Sequence, residues 1–285
     1  MHRREAVFLL RRLLVAGGDG RMLRLARLLA GEGFQTATLG LRPEDEKEAD
    51  IGAAQAILFP YPHAVREGLV PTLTGLSLRP GDVLEGARPG AVVLAGGGLE
   101  AYMAEAKELR LLSYAKSEAF LERNAALSAE GALAQAMGRT ERALMDMAVL
   151  VTGYGRFARA LARRLGALGA EVWVAARRGE QRLTALSDGM RAVSFDALPE
   201  VAGHMDMVLN TVPAQVLGTQ VLERLPKGTW LLELASAPYG FDRAEAEAMG
   251  LRAEVLRALP ARYAPSSAAH ALKQVCVELL REASL

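Results

Sequence analysis

The chain has 285 residues, enough for two domains of ordinary size, each with its own core. Apolar residues make up 51% of it and charged residues 24%, the balance of a soluble globular protein. The net charge of +1 gives no electrostatic reason to expect nucleic acid or an anionic membrane as a partner, and no apolar run approaches the roughly 18 residues that span a bilayer.

Strand and helix patterns alternate through residues 1–116, which we interpret as a first, substrate-side domain. Arg11 and Arg12 interrupt the apolar start, which continues directly into a strand, so we do not interpret it as a signal peptide and expect a cytoplasmic protein. Strands alternating with helices are typical of a parallel sheet covered on both faces. The predicted strands are RRLLVAGG, FQTATLGL, AQAILFP, GAVVLAGG and LLSYA, and the predicted helices are RMLRLARLLAGEG and LEAYMAEAKELR.

A purely helical pattern follows at 117–147, which predicts a helical connector. A second alternating series then occupies 148–257, with predicted strands AVLVTG, EVWVAA, MDMVLNTVP, TWLLELAS and RAEVLRAL. Residues 258–285 form a loop and a last helix, where the single cysteine, Cys276, is expected to be a buried, inert thiol. The predicted fold is α/β: two Rossmann-like domains with parallel sheets, joined by a helical connector, and a C-terminal helix returning towards the first domain.

The stretch AVLVTGYGRFARALARRLGALGAEVWVAARR has the order strand, glycine turn, helix and strand. Its spacing is G-x-G-x-x-A, in which Gly153 permits a tight turn, Gly155 lets a pyrophosphate approach the backbone, and Ala158 lets the helix pack close to the sheet. The N-terminus of that helix would face the phosphates. The residues predicted to bind a dinucleotide here are Gly153, Tyr154, Gly155, Arg156, Phe157 and Ala158.

The end of the second strand distinguishes NADP from NAD. Sites that prefer NAD place an Asp or Glu there, which bonds the ribose 2′-hydroxyl. This chain has Ala175 and Ala176 followed by Arg177 and Arg178, whose guanidinium groups suit a 2′-phosphate. We therefore predict NADP, with Arg177 and Arg178 among its ligands; the alternative is that both lie on a surface loop.

The first domain has a glycine turn of its own, VAGGDGRMLRLA. Gly17, Gly18 and Gly20 resemble a nucleotide turn, but Asp19 stands where a phosphate would approach and would repel it. We expect a degenerate turn, in which Asp19 and Arg21 have a structural or substrate-side role.

Six motifs in order carry a family resemblance: GGDGR, ERNAALSAEGAL, GYGRFA, LNTVP, LELAS and ALPARYAP. Together they make the chain similar to the A subunit of bacterial dipicolinate synthase over nearly its whole length. The resemblance implies an NADP-linked dehydrogenase of two Rossmann-like domains, which forms dipicolinate for spores from dihydrodipicolinate, on a branch of the lysine pathway. It also implies a second, flavoprotein-like subunit.

The chain departs from the family pattern at several positions. Leu127 stands where a proline is usual, and Ala237 where a basic residue is common. Glycines are replaced by Ala258 and Ala261. Lysine and threonine are replaced by Ser266 and Ser267.

In an open parallel sheet, ligands bind beyond the carboxyl ends of the strands. That rule adds further predicted cofactor contacts, namely Asn210, Thr211, Val212, Pro213, Ala235 and Ser236. Strand-end capping is the alternative for Asn210 and Thr211.

Two substrate carboxylates need cations and polar groups, and the lost proton needs an acceptor. The predicted substrate residues are Arg21, Ser266 and Ser267, with helix N-capping as the alternative for the two serines. The predicted catalytic residues are Glu130, Asn124 and Ser128. Glu130 is the first choice for proton acceptor, and a favourable contact with the helix dipole is its alternative.

Several other functions lack support in the sequence. There is no HExxH, CxxC or GxSxG, so no metal site is predicted. Two alternatives stay open: an NADP-linked oxidoreductase of a 2-hydroxy or amino acid, and a redox sensor that binds NADP without turnover. The helical connector and the returning helix also make a homodimer plausible.

Overall fold

The computed structural model describes residues 11–45, 49–106 and 108–284. It divides into two compact units. One unit comprises the described residues up to Leu121 together with the segment from Ala264 onwards, and the other is Glu122–Tyr263. The last helix thus belongs with the first unit, as the predicted fold class requires.

The first unit contains a five-stranded, fully parallel sheet in the order β2-β1-β3-β4-β5, one of the two common doubly wound orders. All five predicted strands are present. They are β1 (Arg12–Ala16), β2 (Gln35–Leu39), β3 (Ala56–Leu58), β4 (Val92–Ala95) and β5 (Arg110–Ser113). The helices of this unit are α1 (Gly20–Gly31), α2 (Pro80–Glu85), α3 (Glu100–Met103) and, at the end of the chain, α11 (Pro265–Glu282).

Helix α4 (Glu118–Met137) leads into the second unit, whose six parallel strands lie in the order β11-β10-β9-β6-β7-β8. This is the dinucleotide-binding order, and the chain reverses direction across the sheet between β6 and β9. The strands are β6 (Ala148–Thr152), β7 (Glu171–Ala175), β8 (Arg191–Val193), β9 (Met207–Asn210), β10 (Trp230–Glu233) and β11 (Arg252–Val255). The helices are α5 (Arg156–Ala167), α6 (Gly179–Ser187), α7 (Leu198–Val201), α8 (Thr219–Leu222), α9 (Arg243–Ala248) and α10 (Leu259–Tyr263).

Burial on both faces explains why the central strands read as continuous apolar runs. In β6, Val149 and Val151 enter the core on one face and Leu150 enters the core on the other. The edge strand β8 was not predicted from sequence because its three residues are exposed or half-buried and form no apolar run. The predicted helix LEAYMAEAKELR is helical only over Glu100–Met103 among the described residues.

The prediction for Cys276 is confirmed: the thiol is free and fully buried on α11. Burial raises the pKa of this thiol to about 12, so it stays protonated and unreactive at neutral pH. No helix in the described ranges combines the length and the apolar composition needed to cross a bilayer.

Ala258 and Ala261, which we expect to stand in place of glycines of the family pattern, have different backbone conformations. Ala258 lies between β11 and α10 with a φ of +54°, a conformation that favours glycine. Ala261 lies within α10, where alanine is the better residue. One replacement therefore strains the backbone and the other does not.

We expect Ala258→Gly to raise the free energy of unfolding by up to about 1.5 kcal/mol. Relief of the left-handed alanine is worth roughly 1–2 kcal/mol, offset by roughly 0.4–1 kcal/mol for the freer unfolded chain. The matched control, Ala261→Gly, should lower the free energy of unfolding by roughly 0.5–1 kcal/mol. Urea denaturation measures both, and a destabilised Ala258→Gly variant would contradict the strain at this position.

Candidate functional site

An open crevice of about 570 Å³ lies at the carboxyl edge of the second sheet, where β6, β7 and β9 end. Its volume is in the range of cofactor sites. It is lined by Gly153, Tyr154, Gly155, Arg156, Phe157, Ala158, Arg177, Arg178, Gln181, Phe195, Thr211, Val212, Pro213 and Ala214. The structure thus brings together eleven of the fourteen residues predicted to bind the cofactor, and only Asn210, Ala235 and Ser236 lie outside this lining.

The glycine turn has the geometry that a pyrophosphate needs. Gly153 has a φ of +80°, and a Cβ there would lie 3.0 Å from Thr211 Oγ1 and Val212 Cγ2, so no larger residue fits. At Gly155 a Cβ would meet nothing within 4 Å, because that side opens into the crevice. Gly155 is also the N-cap of α5, whose first amides receive no side-chain cap. These amides are available to an anion.

The buried side chain of Tyr154 anchors the glycine turn to the neighbouring helices. It is buried, and its hydroxyl donates to Asp188 Oδ2 at 2.6 Å, at the end of α6. Arg163 donates to the same carboxylate at 2.8 and 3.2 Å and, with Tyr154, holds the pKa of Asp188 below its usual value. Tyr154 thus joins the turn to α5 and α6.

Arg177 and Arg178 line the end of the crevice beside β7. Both are exposed, and neither forms an ion pair with any described residue. Arg182 supports this corner by donating from Nη1 to the carbonyl oxygens of Ala176 and Arg177, each at 2.8 Å. Because Arg178 is the N-cap of α6 and provides no side-chain cap, the first amides of α6 also face this corner without a cap. Two exposed guanidinium groups and a helix N-terminus make the corner attractive to a phosphate.

A buried hydrogen-bond network lies beneath the other end of the crevice. Thr152 Oγ1 donates to Asn210 Oδ1, and Asn210 Nδ2 donates to both oxygens of Glu233 at 2.7 and 2.8 Å. All three side chains are fully buried. The amides of Ala235 and Gly240 each donate to Glu233 at 2.8 Å. The network therefore connects the ends of β6, β9 and β10 to the loop that follows β10.

Two residues predicted to contact the cofactor, Asn210 and Ala235, take part in this network. Asn210 has no exposed surface, and its amide is consumed by Glu233 and by the carbonyl of Val212 at 3.0 Å, so it positions the crevice instead of touching a ligand. This arrangement favours the alternative of a structural role at the strand end for Asn210. Ala235 contributes its amide to Glu233, and Ser236 is exposed in the same loop.

Burial raises the pKa of Glu233, although the hydrogen bonds donated to its carboxylate partly offset that effect. A side chain on Gly240 would overlap the Asn210 amide, so this position in the loop is restricted to glycine.

The prediction that Glu130 accepts a proton is not supported by its position, and it stays a prediction. Its carboxylate is exposed and lies 3.5 Å from Arg164, in the last turn of α5. That turn is about 12 Å along the helix from Arg156, where α5 meets the crevice. A different carboxylate of α4, that of Glu122, lies beside the start of α5, 3.6 Å from Arg156. Glu130 therefore makes a surface ion pair.

The other two connector candidates also lie on α4. Ser128 Oγ donates to the carbonyl of Asn124 at 2.8 Å, a bond within the helix that satisfies its hydroxyl. Asn124 is half-buried, one turn closer than Ser128 to the end of α4 that meets Arg156. Of the three predicted catalytic residues, Asn124 is the nearest to that end of α4. Its side chain forms no hydrogen bond or ion pair with a described residue.

In the first unit, Asp19 and Arg21 have the structural role. Arg21 is buried; its Nη2 donates to Asp19 Oδ2 at 2.8 Å and to the carbonyl of Tyr61 at 2.9 Å. Burial alone would raise the pKa of Asp19, but the bonds and the charge of Arg21 outweigh it and hold that pKa below its usual value. Because Arg21 is paired with Asp19, its position favours the structural role, and its predicted contact with substrate stays a prediction.

The glycine turn of this first unit is occupied by the chain itself. The Gly17 amide donates to the carbonyl of Leu39 at 2.8 Å, and the Gly18 amide donates to that of Pro71 at 2.5 Å. A Cβ at Gly17 would also meet Pro71 and Val70. No space or free amide is left for a phosphate at these two described residues, which agrees with a degenerate turn.

Ser266 and Ser267 lie in the first turn of α11, after its N-cap residue Ala264. No side chain caps this helix, so the N-capping alternative for the two serines is wrong. Their predicted contact with a substrate stays a prediction. Among the described residues, no group of three or more His, Cys, Asp or Glu side chains could hold a metal ion.

Sequence reasoning missed several residues. Phe195 follows β8, the strand too short to be predicted, and Gln181 lies in the first turn of α6, three residues after Arg178. Glu233 was missed although a carboxylate inside the apolar run LLEL is a usable signal, because glutamate is seldom fully buried without a specific role.

Comparison with known proteins agrees with this geometry. Residues 147–234 match a family model described as NADP oxidoreductase, coenzyme F420-dependent. The A subunit of dipicolinate synthase from Bacillus subtilis (strain 168) is 28% identical over 95% of this chain and 96% of its own. The crystal structure of the same subunit from Bacillus halodurans superimposes with a TM-score of 0.86 at 28% identity, covering 95% of this chain and 97% of the other. The crystal structure of the Bacillus subtilis protein gives a TM-score of 0.84 at the same identity, with 96% and 97% coverage.

These comparisons show an oxidoreductase with a site for a nicotinamide cofactor, built on two parallel sheets. The resemblance predicted from the six motifs is confirmed: in sequence and in fold, the chain is similar to the A subunit of dipicolinate synthase along nearly its whole length.

Proposed function

We propose that the chain is the NADP-dependent dehydrogenase subunit of a dipicolinate synthase. It oxidises dihydrodipicolinate, from the lysine pathway, to dipicolinate during sporulation, together with a flavoprotein-like second subunit. One observation carries the proposal: the crevice at Gly153–Ala158 has Arg177 and Arg178 at one end, without ion-pair partners among the described residues, in a chain similar throughout to the A subunit of dipicolinate synthase.

The residues present fit NADP. The open side of Gly155 and the uncapped start of α5 suit a pyrophosphate, while Arg177, Arg178 and the start of α6 suit a 2′-phosphate. Thr211, Val212 and Pro213 then line the nicotinamide end of the crevice. When bound, NADP supplies the hydride acceptor.

The reaction removes one hydride and one proton from the dihydropyridine ring, yielding the aromatic dicarboxylate, NADPH and a released proton. Aromatisation drives the step, so the protein has mainly to place the ring against the nicotinamide. That placement depends on cations which hold the two carboxylates.

Arg257 is the cation best suited to this task in the second unit. It follows β11, and its guanidinium lies 5.8 Å from the centre of the Tyr239 ring, whose hydroxyl accepts a hydrogen bond from it. Because Glu233 and Val255 are register partners, Arg257 is level with Ala235, just beyond the end of β10. It is exposed and forms no ion pair with a described residue, whereas the charge of Arg21 is already neutralised.

The function is tested with freshly made dihydrodipicolinate and NADP, with and without the flavoprotein-like subunit, by following NADPH absorbance and dipicolinate together. We expect the two products to form in equal amounts. NADP binding without turnover in either condition would favour a redox sensor. Turnover of a 2-hydroxy or amino acid instead would favour the other oxidoreductase.

We expect Arg177→Ala and Arg178→Ala each to weaken NADP binding by about tenfold or more, because a charge-assisted hydrogen bond to phosphate is lost. NAD binding should change little, since NAD has no 2′-phosphate. Arg191→Ala is the matched control, because Arg191 is exposed in the same unit but pairs with Glu171 at 2.7 Å. Calorimetric titration with both coenzymes measures the effect, and an equal loss for NAD and NADP would refute NADP selection by these arginines.

We expect Arg257→Ala to raise the KM for the dicarboxylate by about tenfold while the Kd for NADP stays unchanged, because a charged contact to substrate is lost. Arg252→Ala is the control, because Arg252 lies at the amino end of the same strand and Arg257 lies beyond its carboxyl end. The Arg252 guanidinium is 5.6 Å from the centre of the Trp230 ring. Steady-state kinetics with both variants separates the two positions, and an unchanged KM in Arg257→Ala would remove Arg257 from the substrate site.

A further inference from the structure

Glu233 is a fully buried carboxylate to which the proposed reaction assigns no role. Its partners are all neutral: the Asn210 side-chain amide and the backbone amides of Ala235 and Gly240. No cation pairs with it among the residues that the structure describes. Four donor contacts suit the ionised form, so its negative charge is held inside the protein without being neutralised.

Two hydrogen bonds through Asn210 connect this charge to one end of the crevice. Asn210 Nδ2 bonds Glu233 and also the carbonyl of Val212, so the carboxylate is two hydrogen bonds away from a residue that lines the crevice. Val212 lies beyond β9, on the opposite side of the glycine turn from Arg177 and Arg178. If those arginines hold the adenosine end, the nicotinamide ring lies at the Val212 end.

The two redox forms of a nicotinamide differ in charge at that end alone. The oxidised ring carries one positive charge, the reduced ring is neutral, and the phosphates are the same in both. A buried anion attracts a nearby cation more strongly than an exposed one does, because the surrounding dielectric constant is lower and salt screens it less.

We propose that Glu233 is a positioning residue whose charge makes the crevice prefer the oxidised cofactor to the reduced one. This inference rests on the proposed cofactor site and adds a selectivity for redox state. Tight binding of the oxidised form and weak binding of the reduced form would suit a dehydrogenase that takes up NADP and must release NADPH. Burial raises the pKa of this carboxyl group, while its hydrogen bonds act in the opposite direction by stabilising the ionised form.

The test is the ratio of two dissociation constants, Kd for NADPH over Kd for NADP, measured on the full chain. In Glu233→Gln we expect this ratio to fall about five- to tenfold, the size of one partly screened charge interaction. In Glu233→Asp, which keeps the charge but shortens its reach, we expect the ratio to stay within about twofold of the wild type, even if both forms bind more weakly. A purely structural role would change both constants equally and leave the ratio unchanged in both variants, which would overturn the proposal.

A measurement on the wild type covers the case in which Glu233→Gln does not fold. Raising the salt concentration from low to high should weaken both forms in parallel, because they share their phosphates, and leave the ratio unchanged. A ratio that collapses in high salt would assign the preference to an exposed charge and overturn the role of Glu233. If neither form binds, the proposed cofactor site itself fails; if NAD and NADH bind instead, the same ratio tests Glu233.

Discussion

The hydrogen bonds from Thr152 through Asn210 to Glu233 are the constraint on which the candidate site depends. Parallel strands end at a common edge, but nothing in a sheet fixes the loops beyond that edge. Here one side chain at the end of each of three neighbouring strands takes part in a single buried network, and the loop after β10 donates two backbone amides to it. Because a half-satisfied network would leave buried polar groups unpaired, removing any member affects all three loops.

The sequence allowed the second half of the fold to be predicted in detail because its signals are local. The order of strand, glycine turn and helix at Gly153–Ala158 requires particular residues at adjacent positions, and the structure has all of them in the crevice. The strand β8 gave no such signal, since three half-exposed residues at the edge of a sheet need no apolar pattern. Phe195, which follows β8, was missed for the same reason.

The predictions that the structure does not support concern side chains whose surroundings are decided by partners distant in sequence. Glu130 was chosen for its motif, but the face of α4 on which it lies brings it to Arg164 and away from the crevice. Asn210 was assigned to the cofactor because it ends a strand, yet the carboxylate of Glu233, 23 residues later, takes its amide. Periodicity indicates which element a residue belongs to, whereas the partner of a polar side chain follows only from the packed structure.

The first glycine turn follows the same strand–turn–helix order as the second, but its backbone amides bond to the chain itself. The carbonyl oxygen of Pro71 occupies the place at Gly18 where a phosphate oxygen would lie, and the ion pair of Asp19 and Arg21 closes the turn from the other side. A dinucleotide could reach the amides of Gly17 and Gly18 only if their bonds to Leu39 and Pro71 were broken, which would cost free energy. If the second unit binds a dinucleotide as proposed, we expect one dinucleotide per polypeptide at saturation, although the described chain contains two doubly wound sheets.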